Sequence, residues 1–217
     1  MRFDGIIFDF DGVLVESEYA GNLHLAETLT GLGHPTSVEQ SLDAFVGLGG
    51  KDFLAAIERW VDGPVPSGFH ALRRAEDERA MREGVGAVAG AVAFVRALPP
   101  ALPKAIASSS STEWIRAHLA HLGLADAFGD HVYSGREHVA RGKPAPDLYL
   151  HAARAIGVDI AKTLVIEDSP VGVTGAVASG AYVIGLAAGR HCGPGHAERL
   201  RERGAHEVVT SFAEIRI

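Results

Sequence analysis

Short apolar runs recur along the chain, and several end in polar or acidic residues. Gly5-Ile6-Ile7-Phe8 runs into Asp9-Phe10-Asp11-Gly12, and Lys104-Ala105-Ile106-Ala107 runs into a block of serines. His131-Val132-Tyr133, Thr163-Leu164-Val165-Ile166, Tyr182-Val183-Ile184 and Glu207-Val208-Val209 follow the same form. Apolar on successive residues, such runs read as strands buried on both faces. Helical periodicity lies between them, including 112–121, 146–156 and 171–178. Strands alternating with helices predict an α/β fold: a Rossmann-like three-layer sandwich with a mainly parallel sheet, whose ligands gather beyond the strands' carboxyl ends.

Residues 17–84 break this rhythm. They read as four helices, 19–32, 38–45, 51–61 and 67–82, separated by Gly33-His34-Pro35, Gly47-Leu48-Gly49-Gly50 and Gly63-Pro64-Val65-Pro66. An all-helical insert after the first strand is therefore expected, with the catalytic core in 1–16 and 85–217. No internal repeat is visible.

Composition narrows the function. A length of 217 residues, 47% of them hydrophobic, suffices for one substantial core or a core with a modest insert. A formal charge of -7 opposes general nucleic-acid binding, which needs a positive field. Asp4 interrupts the apolar stretch a signal peptide would need, and no apolar run approaches the roughly 20 residues of a membrane span. With Cys192 alone, no intramolecular disulfide can form. The expectation is a soluble cytoplasmic protein, monomeric or weakly homodimeric.

The candidate chemistry stands at the strand ends. Two carboxylates at Asp9 and Asp11 share one side of an extended chain, a costly arrangement unless a cation or a shared proton relieves it. A calcium loop starting at Asp9 fails, because its fifth, sixth and twelfth positions would be Val13, Leu14 and Ala20. Glu167-Asp168-Ser169-Pro170 repeats the pattern: Asp168 or Ser169 can cap a helix, while paired acids suit a hard ion such as Mg²⁺. Ser108-Ser109-Ser110-Ser111 offers hydroxyls and amides at a helix start, a phosphate cradle of which capping explains one member. Lys143, one of four lysines, lies in the proline-stiffened Gly142-Lys143-Pro144-Ala145-Pro146-Asp147.

Together, the string from Ile6 to Leu14, Ser108, Lys143 and the Glu167-Asp168 pair resembles the haloacid dehalogenase-like superfamily across essentially the whole chain. The wording Gly-Lys-Pro-x-Pro-Asp and Glu-Asp-Ser-x-x-Gly is similar to its sugar-phosphate branch, and the insert to its helical cap of the first type. That resemblance implies a phosphatase acting on a small phosphorylated metabolite. Asp9 would be the nucleophile and Asp11 the acid/base. Ser108, with Ser109, and Lys143 would hold the phosphoryl group. Asp9, the Asp11 carbonyl and Asp168 would hold Mg²⁺, with Glu167 supporting the metal shell. An acid at Asp11 disfavours dehalogenation, since a halide needs no proton. The competing reading is a β-phosphoglucomutase-like mutase. Gly21, with His24 nearby, and Gly50, flanked by Lys51, stand where that family carries a His and a phosphate-clamping Arg. Lys51 either faces the substrate or belongs to a plain helix connector. A third possibility is a phosphate-binding protein without catalysis.

Three features carry less. Gly47-Leu48-Gly49-Gly50 lacks the strand and third glycine of a dinucleotide fingerprint. Arg73, Arg74, Arg79 and Arg82, interleaved with acids, read as a solvated helix. His191-Cys192 and His196, with Gly and Pro between and no fourth ligand in sight, read as a surface loop.

Overall fold

The computed structural model describes residues 2–46, 48 and 50–217. Gly47 and Gly49, in the glycine loop discussed above, lie outside the described residues. The strands are β1 (Gly5–Phe8), β2 (Lys104–Ser108), β3 (Val132–Ser134), β4 (Thr163–Glu167), β5 (Tyr182–Leu186) and β6 (Glu207–Val209). The helices are α1 (Ser17–Gly31), α2 (Val38–Phe45), α3 (Gly50–Val61), α4 (Phe69–Glu83), α5 (Ala91–Ala97), α6 (Thr112–Leu122), α7 (Ala125–Phe128), α8 (Asp147–Ala155), α9 (Pro170–Ala178) and α10 (His196–Glu202). The strands form one sheet in the order β3-β2-β1-β4-β5-β6, and every pairing is parallel.

Alternation along each strand explains the continuous apolar runs. Ile6, Phe8, Ile106, Leu164, Ile166 and Ile184 face one core, shared with Val95, Ile115, Leu119 and Phe128. Ile7, Ala105, Ala107, Val165 and Val183 face the other, shared with Leu148, Ala152, Val173, Ala176 and Leu200. Thus α5, α6 and α7 cover one face and α8, α9 and α10 the other, which makes the three layers. With both faces dry, the middle of each central strand is apolar, and the buried polar side chains fall at the strand ends. The strand order reverses at β1, flanked by β2 and β4, so the crevice such a sheet offers lies beyond the carboxyl ends of these three strands.

By its internal contacts the chain divides into two compact units, Met1–Glu16 with Val85–Ile217, and Ser17–Gly84. The second unit contains α1 to α4 around Leu25, Leu29, Phe45, Ile57 and Phe69. Ser37 and Gln40 close a capping box at the start of α2. The Asn22 side chain accepts a 2.9 Å hydrogen bond from Ser41 where both are buried. The α4 helix departs from the fully solvated expectation. Arg73 lies 3.3 Å from His24 Nδ1, and Glu76 lies 3.4 Å from His24 Nε2. These half-buried charges turn towards α1, while Arg74, Arg79 and Arg82 stay exposed.

Phe8 tests the first core. Its ring meets Phe94 and Phe128 edge-on at centroid distances of 6.2 and 5.7 Å. Phe8→Ala should cost about 3–5 kcal/mol, since the cavity cannot fully collapse. The expected result is a lower urea midpoint with an unchanged slope.

Candidate active site

Each strand end at the reversal contributes polar groups. The Asp9 amide donates to the Ile166 carbonyl at 2.9 Å, carrying the β1–β4 ladder one residue past β1 and setting Asp9 beside Glu167. The carboxylates of Asp9, Glu167 and Asp168 form a buried cluster with donor atoms within 4.8 Å of one another. Lys143, from the loop before α8, reaches into it, 2.7 Å from Asp9 Oδ1 and 2.5 Å from Glu167 Oε1.

Glu167 is fully buried and its oxygens are well supplied. Besides Lys143, Oε1 lies 2.7 Å from the Tyr149 hydroxyl. Oε2 accepts from the Ser169 amide at 3.1 Å and the Ser169 hydroxyl at 3.0 Å. That hydroxyl also accepts from the Gly172 amide at 3.0 Å and so caps α9. Ser169 therefore caps and supports an acid together. Gly172 permits this approach: a Cβ there would fall 1.9 Å from Glu167 Oε1.

Burial, then the Glu167 charge, pushes the Asp9 carboxyl well above the ordinary carboxylate range, with Lys143 opposing. Burial also works against the Lys143 ammonium, but Asp9 and then Glu167 outweigh it and hold its pKa well above the lysine range. Both directions have one origin. Three acids share a dry space with one lysine, so each charge there is felt strongly by its neighbours.

Asp11 takes different partners. Its Oδ2 accepts from the Ser110 hydroxyl at 2.6 Å and the Ser108 hydroxyl at 3.2 Å. Its Oδ1 accepts from the Trp114 indole at 3.1 Å. Strand β1 ends at Phe8, so the strand-based expectation of one shared spot for the Asp9 and Asp11 side chains gives way to two neighbouring sets of partners. Ser111 caps α6 through the Trp114 amide, and Ser109 is exposed. Lys51 is exposed on α3, in the helical unit. Trp114 and Tyr149 are contributors that the sequence did not single out, while Ser110 belongs to the serine cradle read there but turns its hydroxyl to Asp11. For Trp114 the available signal was its place in the first turn of the helix after the serines.

The surface-loop reading of His191 and His196 needs correction. Both are buried. His191 Nε2 lies 2.9 Å from Asp168 Oδ2, and His196 Nε2 lies 2.7 Å from the Asp168 carbonyl. Burial lowers the His196 pKa; the carbonyl can only accept, so His196 Nε2 carries the hydrogen and donates to it. Burial, then the Asp168 charge, pushes the Cys192 thiol up to about 12. Proximity in space to Asp168, invisible in the local composition, draws these residues inwards. Gly12 makes room for them: a Cβ there would fall 1.9 Å from Asp168 Oδ2 and 2.9 Å from the His191 ring.

A parallel sheet with acids at its reversal, a buried lysine and a serine-lined neighbour defines a hydrolase core of the type the motifs resemble. Residues 3–180 match the family model described as haloacid dehalogenase-like hydrolase, and the chain belongs to that family. It is similar to hexitol phosphatase A of Escherichia coli (strain K12), 33% identical over 205 residues that cover 93% of this chain and 89% of the relative. The fructose-1-phosphate phosphatase of the same organism is 30% identical, over 82% of this chain and 94% of its own length. Among solved structures, a family hydrolase from Deinococcus radiodurans R1 with bound phosphate and sodium superposes with a TM-score of 0.88 at 35% identity, covering 98% of this chain and 93% of that one.

The charge balance of the cluster can be measured directly. Lys143→Met should destabilise the protein in EDTA by about 3–5 kcal/mol, because two buried carboxylates lose their cation. Urea unfolding of both proteins in parallel gives the difference.

Proposed function

We propose that this chain hydrolyses a small sugar phosphate or phosphorylated sugar acid, using Mg²⁺ and an aspartyl-phosphate intermediate at Asp9. It is a phosphoric monoester hydrolase of the haloacid dehalogenase-like family. The observation that carries the finer reading is the cluster of Asp9, Glu167 and Asp168 around Lys143. When ionised, its three carboxylates exceed the lysine by two negative charges, which one divalent ion would balance. The donors are all oxygen, as a hard cation requires.

Asp9, Asp168 and the Asp11 carbonyl would hold Mg²⁺, with Glu167 in support through Lys143. Bound there, the ion would neutralise the repulsion between a carboxylate nucleophile and a phosphate dianion. Asp9 Oδ would form a bond to phosphorus as the ester P–O bond breaks, and Asp11 would give its proton to the departing oxygen. Water would then attack the phosphorus while Asp11 takes its proton, releasing phosphate and restoring both acids. Lys143 and Ser108, with Ser109, would hold phosphoryl oxygens, since such transfer asks mainly for positioning and charge stabilisation.

Trp114 and Ser110 would act as positioning residues, fixing the Asp11 carboxylate by hydrogen bonds. The helical unit would serve as the cap that selects the substrate, with Lys51 as a contact for its anionic part. The relatives' names suggest a hexitol phosphate and fructose 1-phosphate as model substrates. Among the described residues no helix is long and apolar enough to cross a membrane.

A panel of hexitol, hexose and sugar-acid phosphates, assayed with Mg²⁺ and with EDTA, tests the reading. Phosphate release should require the metal and disappear in Asp9→Asn; full turnover by that variant would remove Asp9 from the nucleophile role. Conversion of sugar 1-phosphate to 6-phosphate faster than phosphate release would favour the mutase instead. Trp114→Phe should lower kcat about tenfold with KM little changed, the equivalent of one hydrogen bond to a charged group. An unchanged kcat would show that Asp11 needs no indole to hold it.

A further inference from the structure

The segment after β5 folds on itself through tight turns. The Cys192 amide donates to the Gly189 carbonyl at 2.9 Å, the Gly193 amide to the His191 carbonyl at 3.0 Å, and the His196 amide to the Gly193 carbonyl at 3.1 Å. These turns bring donor atoms of His191, Cys192 and His196 within 4.8 Å of one another. His191 Nε2 stands 3.4 Å from Cys192 Sγ and 2.9 Å from Asp168 Oδ2. The Asp168 carboxylate therefore stands beside the triad, against His191, where it can supply a fourth donor that the local sequence lacks.

Tetrahedral zinc has bonds of about 2.0–2.3 Å to nitrogen, oxygen and sulfur, which places neighbouring donors about 3.3–3.7 Å apart. The His191–Cys192 separation already meets that spacing, and the His191–Asp168 pair would open by about half an ångström to reach it. A thiolate with two imidazoles selects a borderline or soft ion, whereas the adjoining carboxylates suit a hard one. Cys192 is half-buried and Gly193, Pro194 and Gly195 are exposed, so the donors can be reached from solvent.

We propose that His191, Cys192 and His196, completed by Asp168, form a binding site for a thiophilic divalent ion such as Zn²⁺. The Cys192 thiol releases its proton to solvent as the metal–sulfur bond forms. His196 has a partner on each ring nitrogen, the Asp168 carbonyl on Nε2 and the Arg199 guanidinium 3.2 Å from Nδ1. One is exchanged for the ion. Arg199 is exposed and the easier to release, which would keep the Nε2–H donation that orients the ring, as in many metal-binding histidines. Asp168 belongs to both donor sets, so an ion in this site opposes magnesium at the carboxylates, and magnesium opposes it equally. That coupling rests on the magnesium reading above; the binding itself does not.

Co²⁺ titration of the EDTA-treated full chain, followed by absorption without substrate, tests the site. One equivalent should produce a thiolate-to-cobalt band in the near ultraviolet and intense visible bands of a tetrahedral ion, both removed by Zn²⁺. The thiolate band should vanish in Cys192→Ser and persist in Asp9→Asn. His191→Gln should weaken cobalt binding at least tenfold, giving a second test should Cys192→Ser fail to fold. A wild-type spectrum without the thiolate band, its survival in Cys192→Ser, or undiminished affinity in folded His191→Gln would overturn the proposal. Because no turnover is read, a negative result leaves the phosphatase reading standing.

Discussion

Three carboxylates buried together with one lysine are an unfavourable arrangement in a dry interior, and much of the sheet's carboxyl edge is organised around that charge. Lys143 is drawn into contact with Asp9 and Glu167, and Tyr149 and Ser169 supply Glu167 with further donors. These contacts reduce the cost of burial without balancing three ionised acids. A cluster left short of positive charge favours a proton or a cation. The same imbalance that weighs on the folded protein would prepare it to receive a divalent ion and, beside it, an anionic ester.

The Asp11 environment is of another kind. A hydroxyl from the end of β2, another from the β2–α6 connection and an indole from α6 meet its carboxylate. Separate surroundings allow two aspartates two residues apart to take separate duties. One stands among charges and would attack; the other stands among neutral donors and would shuttle a proton. Such division by environment is a general means of running acid and base chemistry with the same side chain.

The sheet was readable because its strands are buried on both faces, which leaves uninterrupted apolar runs ending in the polar residues of the site. Glu167, Asp168 and Lys143 could be grouped because strand ends in a parallel sheet share an edge. Less could be read where a role depends on a partner far along the chain. Trp114 looks like an ordinary amphipathic-helix residue until Asp11 is placed against it. Tyr149 has the spacing of a core residue and is one, yet its hydroxyl serves Glu167. His191 and His196, flanked by Gly and Pro, have a loop's composition but are buried through their contacts with Asp168. The ends of α1 and α4 shifted by one or two residues from the periodic pattern, as helix ends commonly do.

Gly172 bears on how this protein could be engineered. In the first turns of α9, alanine would be favoured by intrinsic helix propensity, by about 1 kcal/mol. A designer ranking surface and helix positions by propensity would choose it early. The added methyl would instead occupy the space of the Glu167 carboxylate, displacing the acid that holds Lys143. The weakness of this helix is the room its neighbour needs, and thermostabilisation would have to begin elsewhere.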